Sequence, residues 1–368
     1  MKLKLKISFL TVVLLITTSI ARVFSQNIKL INKFETNSNI YSSPVTTSDD
    51  IVVVGGHDRN VYFLDKTGKL IEKFKTKGWI HSSPQVLSNG NIIIGSYDKY
   101  MYILNPKGEL VKRFKPGGKI FSKVLELPDG KLVFGANTKG IVIYDLENNT
   151  SKIFKTKGIA HTNISLLKNG NIITGTTGKY VYIINQQAEE VAHYKTKGWI
   201  LHSKPTELED GTILVGSYDN TLYFFNQKLK VKSTFKTKGP IHGSPLILKD
   251  GTIVIGSKDH SIYFLNKDGV LKNTFKTNGK VIASPVMLKD GTIVIASFDK
   301  FVYFLTPEGK LISKFDTGGN IFSTPVILSD DTVVVGSNSN YIYFLKLNTN
   351  KKIEINSNQK IATTPPKQ

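Results

Sequence analysis

The feature that most constrains this chain is a period. The proline of a Ser-Ser-Pro element returns at Pro44, Pro84, Pro205, Pro245, Pro285 and Pro325, with Val124 and Ile164 holding its place in two diverged copies. The step is 40 residues throughout, apart from one of 41. An aromatic marker, Phe34, Phe74, Phe114, Phe154, Tyr194, Phe235, Phe275 and Phe315, keeps the same step. Two independent markers in register over eight copies define a repeat array. A unit this short buries its apolar face only by stacking on its neighbours.

Each copy reads as four strands, which in the second are residues 70–75, 80–87, 91–95 and 100–105. Tight turns are marked by Asn89-Gly90, Asp129-Gly130, Asn169-Gly170, Asp210-Gly211, Asp250-Gly251 and Asp290-Gly291, pairs that supply the positive φ of short hairpins. Stretches such as Ile262-Tyr263-Phe264-Leu265 are apolar on both faces, which requires cover on each side of the sheet. Radially stacked blades give that cover, whereas solenoid turns are shorter and carry fewer hairpin signals. The expected fold is all-β, an eight-bladed β-propeller of four-stranded antiparallel blades.

The segments Gly243-Ser244-Pro245, Asp250-Gly251-Thr252-Ile253, Gly256-Ser257-Lys258-Asp259 and Ile262-Tyr263-Phe264-Leu265-Asn266 resemble the PQQ-like (pyrroloquinoline quinone repeat-type) propeller repeat, over residues 28–349. The Trp-Asp ending of WD40 repeats and the paired glycines of kelch repeats are missing. The docking tryptophan of the family is replaced here by the Phe series. The resemblance points to the non-enzymatic branch, whose BamB-type members assist outer-membrane protein assembly, although the lipid-attachment cysteine of that branch is absent. Its enzymatic branch, calcium-dependent quinoprotein dehydrogenases, implies longer chains, an adjacent cysteine pair, a tryptophan floor and an acidic calcium site. This chain has no cysteine.

Ahead of the repeats, Lys2, Lys4 and Lys6 precede an apolar run at residues 7–20, and Val23-Phe24-Ser25 follows. That pattern predicts a signal peptide over residues 1–25, with the propeller at 26–349 and a tail at 350–368. Arg22 interrupts the run, which is too short to span a bilayer. The expected product is exported, periplasmic or extracellular, monomeric, and without a transmembrane segment after cleavage. The tail echoes half a ninth repeat, so residues 28–34 and 351–355 compete for the outer edge of the last blade. Phe34 favours the N-terminal segment.

The formal net charge is +21, and about +17 without Lys2, Lys4, Lys6 and Arg22. Such an excess favours anionic partners. Arginine is confined to positions 22, 59 and 113, which argues against sequence-specific reading of nucleic acid. Lysine, asparagine and isoleucine are abundant, a bias that an AT-rich genome also produces.

In a four-stranded meander the connection between blades shares a face with the hairpin between the second and third strands. That connection carries Lys-Thr-Lys-Gly, with Lys75 and Lys77, Lys155 and Lys157, Lys195 and Lys197, Lys236 and Lys238, extended by Lys115, Lys119, Lys276 and Lys280. The repeat therefore predicts a ring of ammonium groups, either an anion-binding face or a solvated collar partly neutralised by Asp58, Asp98, Asp219, Asp259 and Asp299. Trp79 and Trp199, both within Lys-Thr-Lys-Gly-Trp-Ile, suit a sugar or protein contact; packing on the neighbouring blade is the expectation. His81, His161 and His242, joined by His202 if Leu201 is the inserted residue, should line the funnel wall and bond to backbone. Sheets about 10 Å apart should keep them from sharing a metal. The Gly-Ser-x-Asp hairpins recur too widely for a catalytic centre and read as turn caps. Lys123, Glu126, Asn137, Thr138, Asn163 and Thr177 mark the diverged third and fourth blades, a product of drift or a specialised patch. The functional expectation is a binding or scaffold propeller for an envelope protein or acidic polysaccharide, with no cofactor, metal or catalytic residue. The alternative is a PQQ and calcium dehydrogenase.

Overall fold

The computed structural model describes residues 28–116, 123–136, 140–160 and 163–348. The segments read as signal peptide and tail lie outside the described residues, as do His161, Lys119, Asn137 and Thr138. The described residues form eight four-stranded antiparallel sheets and no helix. Seven are meanders in chain order, as in Val45–Thr46, Val52–Gly55, Asn60–Leu64 and Leu70–Lys75. The eighth joins Val326–Ile327, Val333–Ser337 and Tyr341–Leu347 to the N-terminal strand Ile28–Glu35. The ring therefore closes through the N-terminal segment, in the register Ile28↔Leu347 through Glu35↔Tyr341. Phe34 accounts for the choice, since its ring meets Tyr62 of the first blade edge-on at 5.4 Å.

Packing explains why the middle strands are apolar on both faces. The buried side chains form eight clusters, each shared by two adjacent blades. Ser261–Leu265, for example, is buried at every position. The aromatic marker meets the tyrosine of the following blade at seven of the eight junctions; at the remaining one that position is Val142, and Phe114 stacks on Tyr144 at 4.4 Å. Phe74 meets Tyr102, Phe154 meets Tyr182, Phe235 meets Tyr263 and Phe275 meets Tyr303, each 5.2–5.4 Å away on the following blade. Closer to the axis the blades touch through glycine, since a Cβ on Gly55 would lie 2.2 Å from Ile80 Cγ2.

The inner strand is shorter than expected. Residues 80–87 contribute only Gln85–Val86 to the sheet. Pro84 has no N–H to give, and Ser82 takes over the ladder instead. Its Oγ donates to Gly95 O at 2.8 Å and accepts from Gly95 N at 3.1 Å. Ser42 with Gly55 and Ser323 with Gly336 repeat the device.

The 41-residue step is absorbed locally. Ser203 N donates to Leu201 O at 2.7 Å around His202, whose φ is +60°. This is a three-residue turn. Tyr194 still pairs with Val181 as Phe74 pairs with Val61.

Candidate functional site

The Lys-Thr-Lys-Gly loops are built from the threonine outward. Thr76 is buried and its Oγ1 reaches the carbonyls of Gly78 and Arg59, at 2.7 and 3.0 Å. The alternation of an extended chain then turns Lys75 and Lys77 to solvent. Lys155, Lys157, Lys195, Lys197, Lys236 and Lys238 are exposed as well.

The hairpin aspartates do not pair with these ammonium groups. Asp98 Oδ2 accepts from the Lys77 amide at 2.9 Å and from Tyr102 Oη at 2.8 Å. Asp219 serves the Lys197 amide and Tyr223, and Asp259 the Lys238 amide and Tyr263. Burial works to raise the Asp259 carboxyl, but hydrogen bonds from Ser261, Tyr263 and the Lys238 amide outweigh it and hold the group below the ordinary carboxylate range. The turn-cap role read from the sequence thus extends across the blade junction. Among the described residues no loop lysine has a carboxylate partner; Lys157 and Lys195 lie over Tyr180, and Lys236 donates to Thr221.

Inside the ring of loops is a crown of rings that sequence reasoning missed. Phe298 meets Phe322 at 4.3 Å, Phe322 meets Tyr41 at 4.7 Å, and Tyr41 stacks on His57 at 4.4 Å. Trp79 continues the row, parallel to His57 at 5.4 Å and tilted to Tyr97 at 6.3 Å. A second arc runs from Trp199 through Tyr218 to His242 and His202. Trp79 and Trp199 touch these rings but stay 54% and 50% exposed. The crown comes from three repeat positions: the residue before the hairpin aspartate and the residues on either side of the loop isoleucine, with His202 displaced by the inserted Leu201. Their aromatic bias was the signal available.

His81, His202 and His242 line the mouth of the central channel together. His242 Nδ1 bonds to Ile282 O at 3.1 Å. The 10 Å separation does not hold at the mouth, because the blades converge on the axis. His57 Nε2 and His81 Nδ1 are 3.2 Å apart, and the His202 and His242 rings stack at 4.4 Å. Among the described residues, no three histidine or carboxylate side chains form a group that could hold a metal ion.

Below the mouth the channel narrows to a waist made by one repeat position: Ser43, Ser83, Lys123, Asn163, Lys204, Ser244, Ser284 and Thr324. Six of the eight backbone amides donate to the side-chain oxygen of the next blade. The bonds run from Ser43 to Ser83 (2.9 Å), Lys123 to Asn163 (3.3 Å), Lys204 to Ser244 (2.8 Å), Ser244 to Ser284 (2.8 Å), Ser284 to Thr324 (3.0 Å) and Thr324 to Ser43 (2.9 Å). The circle breaks twice, where a lysine with no acceptor follows Ser83 and Asn163. A cavity of about 620 Å³ opens under the waist. Its carboxylate, Glu126, is held by the amide and hydroxyl of Ser88 at 2.6 and 2.8 Å. Thr177, also singled out in the diverged blades, accepts from the Ile159 amide at 2.8 Å.

Compared with known proteins, the chain matches no family model and no curated protein. Solved structures match its fold. BamB from Moraxella catarrhalis superposes with a TM-score of 0.74 at 14% identity, covering 88% of this chain and 99% of that one. The computationally designed Ika8 protein gives 0.72 at 14% identity, covering 86% and 99%. What the chain shares with them is the propeller. At this identity the likeness concerns the fold, and function has to be argued from the site.

Proposed function

We propose that the chain is a non-catalytic, exported binding propeller whose lysine and aromatic face docks an envelope protein or an anionic polymer. The observation that carries this reading is the half-exposed pair Trp79 and Trp199 inside a ring of lysines with no carboxylate partners among the described residues. Tryptophan offers a broad apolar anchor with a polar tip. Lysines act as point charges without the planar fork of arginine, so recognition should be broad and dependent on ionic strength. Each exposed contact is weak, and strength comes from the array.

The dehydrogenase alternative does not fit the residues present. The chain has no cysteine, and the channel waist presents Lys123 and Lys204 where calcium would require carboxylates. No step through quinone or calcium is derived.

The test is charge reversal. Replacing Lys77, Lys157, Lys197 and Lys238 together by Glu should abolish retention on heparin at low salt and leave Tm unchanged. Wild-type retention would refute the basic face. Loss of binding only in Trp79→Ala and Trp199→Ala would instead make the contact aromatic, with a protein or neutral sugar as partner.

A further inference from the structure

The two breaks in the waist are chemically alike. Ser83 and Asn163 each present a backbone amide to the following blade, where the position is a lysine instead of a hydroxyl or amide side chain. Among the described residues neither amide has an acceptor, and neither Lys123 nor Lys204 has a hydrogen bond or ion pair through its ammonium. The five hydroxyls of the waist accept from amides, which leaves their own protons directed elsewhere. Half of the channel wall, blades two to five, thus presents donors and positive charge. The carboxylate below it, Glu126, is already engaged by Ser88.

We propose that this waist binds a doubly charged oxyanion carried by a small molecule, a phosphate or dicarboxylate head held by Lys123 and Lys204 and by the amides of Ser83 and Asn163. Unpaired amides and ammonium groups are what an anion satisfies, and charge-assisted bonds of this kind are the strong ones. Lys123 is half-buried and stands near Lys204, so two positive groups line one cavity, whose single carboxylate, Glu126, is bonded to Ser88 and pairs with neither of them. Beneath the head, Val86, Ile164 and Val326 line a cavity of about 620 Å³, a size that accommodates an organic body as well as an ion. The site is separate from the loop lysines and does not depend on the docking proposed for them.

The experiment is calorimetric titration of the intact chain at pH 7 in low-chloride buffer with inorganic phosphate, phenyl phosphate and succinate. Wild type should bind at least one of the three. Lys123→Met and Lys204→Met should each weaken binding about tenfold or more, and the double variant should not bind. The charge-reversed loop variant should bind as wild type does. Tighter binding of phenyl phosphate than of inorganic phosphate places an organic body against the apolar wall, and equal binding makes the head alone the ligand. Unchanged affinity in the double variant, or loss in the loop variant, would overturn the assignment. So would the absence of any binding by wild type. Because the substitutions remove mutual repulsion, the variants should fold, and Tm measured alongside verifies it.

Discussion

Asp259 is one acceptor with two dependants, Tyr263 Oη and the Lys238 amide, so its carboxylate joins a blade to the loop that enters it. Asp259→Asn should cost about 1–3 kcal/mol, the range for bonds to a charged acceptor. The sign of the pH dependence follows from the depressed carboxyl. The contribution is complete above the unfolded value near 3.9 and is lost as pH falls through the folded value. Urea denaturation should therefore show the full deficit at pH 6 and a shrinking one toward pH 3. Lys123 behaves oppositely. Burial, helped by Lys204, lowers its ammonium from 10.5 to about 8. Among the described residues, the other charged or titratable side chains lining the channel are Lys204, Glu126, Tyr41, His81, His202 and His242. Between pH 8 and 10.5 the unfolded chain holds the extra proton, so stability attributable to Lys123 rises with pH across that window. Lys123→Met should be the more stable protein at pH 7, by on the order of 2 kcal/mol, and the gap should close by pH 10.5. A constant gap between the two urea midpoints would show that the ammonium is not under that constraint. Lys123 was legible as a departure from the repeat. Its proximity to Lys204 was not, because the two lie 81 positions apart and come to one cavity only when the blades are set in a ring.

Strand boundaries were readable where hairpin glycines punctuate them and unreadable where a side chain replaces the ladder. Gly90, Gly130, Gly170, Gly211, Gly251 and Gly291 all have φ between +78° and +90°, as their Asn-Gly and Asp-Gly pairs imply. Asp50 and Asp331 adopt the same hand in the blades that lack the glycine. The inner strand misled because residues 80–87 look uniformly extended, while the bonds of Ser82 go to Gly95 from its side chain. At the other edge of the blade, Ile28–Glu35 supplies the whole outer strand of the eighth sheet, and Asn32 also donates to Thr67 O at 3.0 Å. Deleting residues 28–35 should lower Tm by on the order of 10 °C, and a peptide of that sequence added in trans should restore part of it. Circular dichroism melts read both effects, and an unchanged Tm would mean that closure contributes nothing to stability.

For the whole molecule, two periodic markers were enough to count the blades and to choose the closing terminus, because a ring turns sequence spacing directly into angular position. The crown and the waist escaped for the same reason. Their residues are spread over five or more repeats, and each looks unremarkable beside its own neighbours. Closure also has a mechanical side. Ile28 begins the N-terminal strand opposite Leu347, which ends its partner, so both chain ends leave the clasp at the same point. Tension applied through the termini peels that pair open one bond at a time, whereas strands pulled from opposite ends would share the load across every bond at once. The ring resists heat with eight junctions and resists pulling with one.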